Sequence, residues 1–171
     1  MPESTGLRPI EWNELLEKAA LDHRRDLTAT GRMGASGSDG STYKDRVERY
    51  CRWGGSIYQA IDLGERESPK EVVLAWLVDD GNARRTSRSN ILAHHARHFA
   101  ASFGDHNEAD HCCVGIFAAQ VVPLNVDDGE ELGINGLNLP TVTASTTEDN
   151  ARTRKLRQIE WKSFARRIFE L

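Results

Sequence analysis

The chain has little of what marks a secreted or membrane-bound protein. Its 171 residues include three cysteines, Cys51, Cys112 and Cys113. An odd number, two of them adjacent, does not make a secreted disulfide framework. No window approaches the run of about 18 apolar residues that a membrane-spanning helix needs. No apolar stretch follows Met1, and the first residues are neither Arg-rich nor Ser-rich, so no secretory or transit leader is expected. A reducing, intracellular location is the expectation, in the cytoplasm or an organelle that the sequence does not specify. Common catalytic signatures are missing too. No serine lies in a G-x-S-x-G context. The Gly34–Gly40 loop has the glycines of a phosphate cradle but follows a predicted helix and lacks the Lys-Ser/Thr that completes one. There is no internal repeat and no low-complexity tract.

What is present is an ordinary globular composition, 39% apolar and 28% charged. The length suits one domain, large enough to hold a core without disulfides or metal. The net charge of −4 conceals an uneven distribution. Residues 1–97 are balanced, residues 98–151 carry nine acidic and no basic side chains, and residues 152–171 carry seven basic and two acidic. Such a split calls for either an internal match or an external partner.

Apolar spacing predicts a helix from Pro9 to about Thr30, with Leu16, Ala19, Ala20, His23 and Leu27 on one face. A Ser/Thr-capped second helix is expected over 41–51, then a turn at Trp53-Gly54-Gly55. A short strand over 56–63 follows, with Ile57, Gln59 and Ile61 on one face. Ser68-Pro69 with Glu71 makes a capping box, so a third helix starts there. A fourth helix is predicted over 87–103, and the apolar run 111–122 reads as the best strand, ended by Pro123. Residues 123–150 read as a long extended excursion, and a terminal helix is predicted from 147 to 171.

These pieces in this order resemble the CAP superfamily: the cysteine-rich secretory, antigen-5 and pathogenesis-related proteins, whose unit is the SCP domain. The residues that carry the resemblance are Ser38-Asp39-Gly40, Arg46, Trp53-Gly54-Gly55, Gln59-Ala60-Ile61, the helix Ser68–Trp76, Ser87-Arg88-Ser89-Asn90-Ile91-Leu92 and the strand Val114–Ala118. The resemblance implies an α+β fold, an α-β-α sandwich in which helices flank a small antiparallel sheet. Here an extended C-terminal tail ending in a helix is added. The implied organisation is a domain over 8–122 and an extension over 123–171. The family's cleft holds two histidines and two acids that can bind a divalent metal. By resemblance, those places fall on Ala35, Gln59, Asp79 and Ser87. Alanine and serine do not replace imidazole as zinc ligands, and Gln59 does not ionise. The cleft is therefore expected to be degenerate, with no metal, no cofactor and no catalytic residue.

Two other constellations compete. His94 and His98, four apart on the predicted fourth helix, have the spacing of helical zinc ligands, with His95, His106, His111, Cys112 and Cys113 nearby. No Glu stands between His94 and His98, and Arg97 adds positive charge. Cys112 and Cys113 point to opposite faces of a strand. An ordinary exposed helix face with buried thiols is the favoured reading. Arg84, Arg85 and Arg88 form a small basic cluster at the mouth of the cleft, where a solvated loop is the default. Trp53 and Trp76 read as core residues.

The terminal helix surrounds an apolar stripe with basic residues. Arg154, Arg157, Trp161, Phe164, Arg167 and Ile168 are the candidate partner-binding residues. Docking onto the chain's own acidic region and binding to a protein partner are equally open at this point. Nucleic acid is not expected, because the domain as a whole is acidic. The preferred expectation is a non-catalytic interaction or structural subunit of a larger assembly, anchored by 123–171. The rivals are a lipid or small-ligand carrier, which the resemblance allows, and a metal-dependent hydrolase built on His94 and His98.

Overall fold

The computed structural model describes residues 9–66, 68–124 and 163–164. In chain order the elements are β1 (Glu11–Trp12), α1 (Glu14–Thr30), α2 (Tyr43–Glu48), β2 (Cys51–Gly64), α3 (Pro69–Val78), α4 (Thr86–Ile91), β3 (His98–Asp105) and β4 (His111–Pro123). The four strands form one sheet in the order β1-β3-β4-β2. The β2–β4 and β3–β4 pairs are antiparallel. The two-residue β1 runs parallel to β3, so the sheet is mixed rather than purely antiparallel. Helices cover both faces, as expected of an α-β-α sandwich. One core layer joins Leu16, Ala19, Ala20 and Leu27 of α1 with Val47, Ile57, Val114 and Ile116. The other joins Val72, Val73 and Trp76 of α3 with Ile91, Phe99, Phe103 and Phe117.

Local chemistry sets the helix ends. α1 begins at Glu14 rather than Pro9 because the Asn13 side chain accepts from the amides of Leu15 and Leu16. The residues before it are extended: Glu11 N donates to Arg97 O and Asn13 N to Phe99 O. α2 has a capping box between Thr42 and Asp45, and α3 has the expected one between Ser68 and Glu71. Trp53-Gly54-Gly55 is not a turn. It lies inside the 14-residue β2, where the register with β4 shifts between Gly54 and Ile57. Gly55, at φ 70°, supplies the left-handed residue of that irregularity.

The largest correction concerns the helix expected over 87–103. α4 stops at Ile91, residues 92–97 turn, and His98 starts β3. Every residue from Phe99 to Gly104 is buried, so β3 shows no polar-apolar alternation. Its small residues face α1 while Phe99, Ala101 and Phe103 face α3. A strand covered on both faces gives an unbroken apolar run, which periodicity does not separate from a helix.

Small residues in one cross-strand row let α3 lie close to the sheet. Ala60 of β2, Gly115 of β4 and Ala101 of β3 are register neighbours. The Trp76 indole occupies the trough they leave: a Cβ on Gly115 would stand 2.7 Å from Trp76 Cη2. Trp76 meets Phe117 edge-on at 6.4 Å, and Phe117 meets Phe99 at 4.5 Å. β2 is the sheet's long border strand. Its Ile57 carbonyl accepts from Tyr43 Oη at 3.5 Å and its Gln59 carbonyl from Asn90 Nδ2 at 3.2 Å.

Candidate functional site

The loop between α1 and α2 is built by short-range bonds to carboxylates and glycines. Ser38 donates to Asp26 through both its amide and its hydroxyl. Ser41 N donates to Asp39 Oδ1 at 2.9 Å, so Asp39 satisfies a loop amide. This loop brings the Ala35 carbonyl over α2 and β2, where Arg46 meets it.

Arg46 is the centre of the site. It is 2% exposed, and both terminal nitrogens of its guanidinium are held by neutral acceptors, while the buried Nε has no partner among the described residues. Nη1 donates to Ser41 O at 2.8 Å and to Ser41 Oγ at 3.2 Å. Nη2 donates to Ala35 O at 2.9 Å and to Gln59 Oε1 at 3.1 Å. Burial lowers its pKa, with Arg49 adding to the effect, but a guanidinium remains charged at any physiological pH. Beside it, His23 is fully buried, and its Nε2 bonds Gly34 O at 2.9 Å. A carbonyl only accepts, so that nitrogen carries the proton. Burial first, then the Arg46 charge, pushes the His23 pKa down and keeps the ring neutral.

Two of the four cleft positions, Ala35 and Gln59, are thus bonded to one fixed cation. The third, Asp79, ends α3 in the left-handed region at φ 48°. Its Oδ2 accepts from Arg88 N at 3.2 Å, and Asn82 Nδ2 approaches the same carboxylate at 3.4 Å. α4 has Arg85 at its N-cap with no side-chain cap bond, so Asp79 serves as a remote cap for that helix. The fourth, Ser87, is half-buried in α4. Asn90, from the same motif, ties α4 to the Gln59 carbonyl. These residues do not suit a divalent metal: one ionisable carboxylate is present, it is engaged, and a guanidinium stands against two of the other positions.

The histidines do not assemble a replacement. His94 is an exposed turn residue and His98 lies in β3, so their four-residue spacing is not helical and does not put them on one face. His106 is buried and bonds Arg32 O through Nε2, while its Nδ1 accepts from Glu108 N. Cys112 and Cys113 lie in different core layers, on opposite faces of β4. Burial pushes the Cys112 thiol up to about 12 and Cys113 well above the ordinary range, so both are protonated and inert as nucleophiles. Among the described residues, no three of His, Cys, Asp and Glu gather in a metal-holding group. Among them, too, no helix is long and apolar enough to cross a membrane.

One polar network escaped the sequence reading. Asp62, 8% exposed, accepts from Arg66 Nη1 at 2.9 Å and bonds His111 Nε2 at 3.0 Å, and His111 stacks on Phe103 at 4.9 Å. Its signal was the inward face of β2, Ala60 and Asp62, which alternates with the Ile57, Gln59 and Ile61 face. Arg66 also lines an open groove of about 680 Å³ along α3, with Glu65, Glu71, Leu74, Ala75 and Val78. Trp76 is a core residue as expected. Trp53 is half-buried, with Lys44 Nζ 5.3 Å from its ring centroid. Of the terminal segment, Phe164 is half-buried and packs against the core layer under α3. Arg154, Arg157, Trp161, Arg167 and Ile168 lie outside the described residues.

The family model described as CAP, cysteine-rich secretory protein family, matches residues 3–117 of the chain. An outer surface protein from Borrelia burgdorferi superposes with a TM-score of 0.55 at 17% identity, over 66% of this chain and 78% of that one. An extracellular protein containing an SCP domain, from Bacillus anthracis str. Ames, superposes with a TM-score of 0.51 at 15% identity, over 65% of this chain. This chain spans 34% of that longer protein. At such identities the likeness is one of fold. No curated protein matches the sequence.

Proposed function

Because the chain belongs to the CAP family of cysteine-rich secretory proteins, we propose that it is a member without the family's cleft chemistry. It acts as an interaction or structural subunit of a larger assembly, held there by the 123–171 extension. The observation that carries this reading is Arg46. Its buried guanidinium is bonded to Ala35 and Gln59, where a working cleft would need a ligand and an acid. Asp79, which alone keeps a carboxylate, spends it on the start of α4. A site whose polar groups are consumed by internal bonds supports binding through the outer surface rather than catalysis within.

The partner is a protein. The contacts we assign are Arg154, Arg157, Trp161, Arg167 and Ile168, while Phe164 packs on the protein's own core and fixes where the segment departs. Three buried free thiols support a reducing, intracellular setting. The test is capture of endogenous partners by the full chain and by its Arg154→Glu, Arg157→Glu, Arg167→Glu variant. Loss of a stoichiometric protein from the variant supports the reading, and an unchanged set overturns it.

A further inference from the structure

We propose that the groove along α3 is the seat of this chain's own C-terminal segment, residues 151–171. The inference rests on the reading that the extension is a docking element, and it names where that element lies when no partner holds it.

The groove is built on one stripe of α3. Leu74, Ala75 and Val78 form its apolar wall, and Leu74 and Val78, one helical turn apart, are 48% and 51% exposed. Glu65 and Glu71 are its acidic lining residues. The cation on its lining, Arg66, is neutralised by Asp62 at 2.9 Å. Glu71 is engaged in the α3 capping box, so the groove presents an apolar wall with an acidic rim at Glu65, and its complement is a segment with an apolar stripe and basic flanks.

The chain carries one such segment. Residues 152–171 hold seven basic and two acidic side chains, and Trp161, Ile168 and Phe169 are apolar residues beside the core-packed Phe164. Nearly forty residues separate Leu124 from Phe164, a length that reaches any part of the domain. The segment already returns to this layer. Ser163 and Phe164 are helical, and Phe164 packs against the core cluster to which Val72, Val73 and Trp76 of α3 belong. A segment tethered to the domain through Phe164 meets the groove at a high effective concentration, which no free partner matches.

The experiment is limited trypsin digestion of the full chain, reading cleavage after the Lys and Arg residues of 152–167 by mass spectrometry. In the wild type these sites are expected to be protected at every protein concentration. The variant Leu74→Asp, Val78→Asp is expected to be cut there about tenfold faster, with cleavage elsewhere unchanged. Both residues are exposed, so the variant should melt with the parent. Glu65→Lys, at the rim and outside any helix, should raise the same rate to a smaller degree and abolish its dependence on salt. Equal cleavage of wild type and variants overturns the proposal. Protection that appears only at high concentration overturns it as well and assigns the groove to a second copy. Neither outcome depends on capturing a partner, so failure here is distinct from failure of the assembly reading.

Discussion

Trp76 and Gly115 are in van der Waals contact across the α3–sheet interface, with no room for a side chain on the glycine: the added Cβ would come within 2.7 Å of Cη2 and 3.1 Å of Cζ3. Trp76 is 2% exposed, and the same Cβ would stand 3.3 Å from Phe99 Cε2, so two packed rings would have to give way. Gly115→Ala should destabilise the fold by about 1–3 kcal/mol, the usual cost of overfilling a packed core. For a domain of this size that is a fall of several degrees in Tm, of order 2–4 °C per kcal/mol. An unchanged melting curve would show that α3 rides more loosely than this.

Gln59→Glu tests the Arg46 site. The new carboxylate would stand where Gln59 Oε1 now accepts from Nη2 at 3.1 Å, and it would pair a buried charge that has only neutral partners. A charge-assisted bond is worth about 1.5–3 kcal/mol against about 1 for a neutral one, so stability at pH 7 should rise by about 1 kcal/mol. The new Glu would have its pKa depressed on folding. The gain is therefore full above the unfolded value of about 4.3 and disappears as pH falls through the folded one. Urea unfolding at neutral and acidic pH reads both. The variant should bind zinc no better than the parent, because the guanidinium stays.

His23 should make the protein sensitive to acid. Its folded-state pKa lies below the ordinary 6.5, through burial and the neighbouring Arg46. Between the two values the unfolded chain takes up a proton that the folded chain refuses. Stability therefore falls as pH drops below about 6.5, by at most about 1.4 kcal/mol per pH unit. His23→Gln should flatten that part of the curve, and parallel curves for parent and variant would remove the effect.

Asp79 is expected to matter for folding rather than for metal. Asp79→Ala removes the acceptor of Arg88 N and puts alanine at φ 48°, and should cost about 1–3 kcal/mol. Asp79→Asn keeps an acceptor and tolerates the left-handed region, so it should cost only a few tenths. Equal losses in the two variants would argue that the charge itself is used.

The thiols should be silent in the native protein. Cys51, Cys112 and Cys113 are all fully buried, and burial raises the pKa of each. A thiol reagent should titrate none of them quickly at pH 8 and all three in denaturant. Fast reaction of Cys112 or Cys113 in the native state would mean that β4 opens locally.

The sequence reading was strongest where the deciding chemistry was local. The Ser68–Glu71 capping box, Pro69 and the apolar face of α3 lie within three turns of one another, and each could be read directly. The cleft positions were assigned by resemblance, at fixed offsets from short motifs. Their occupants could not. Arg46 was visible as a residue of a helix, but its four acceptors come from positions 35, 41 and 59, and only the folded chain assembles them. Asp79 as a cap for α4 was hidden because its partner amide is nine residues on. β3 was misread because both its faces are covered, which erases the alternation that identifies a strand. Asn13 was passed over because Pro9 offered an earlier and equally legal helix start.

The two side chains that terminate the β2 border have a consequence for how copies of this protein meet. A strand of 14 residues at the margin of a sheet is an open template, able to recruit another chain's backbone and seed fibrillar stacking. Tyr43 and Asn90 bond the carbonyls of Ile57 and Gln59, in the middle of that strand, and α2 and α4 both contact it. The motif asparagine therefore takes up an acceptor that an incoming strand would need, so the bond that ties α4 to β2 also makes that margin a poorer template.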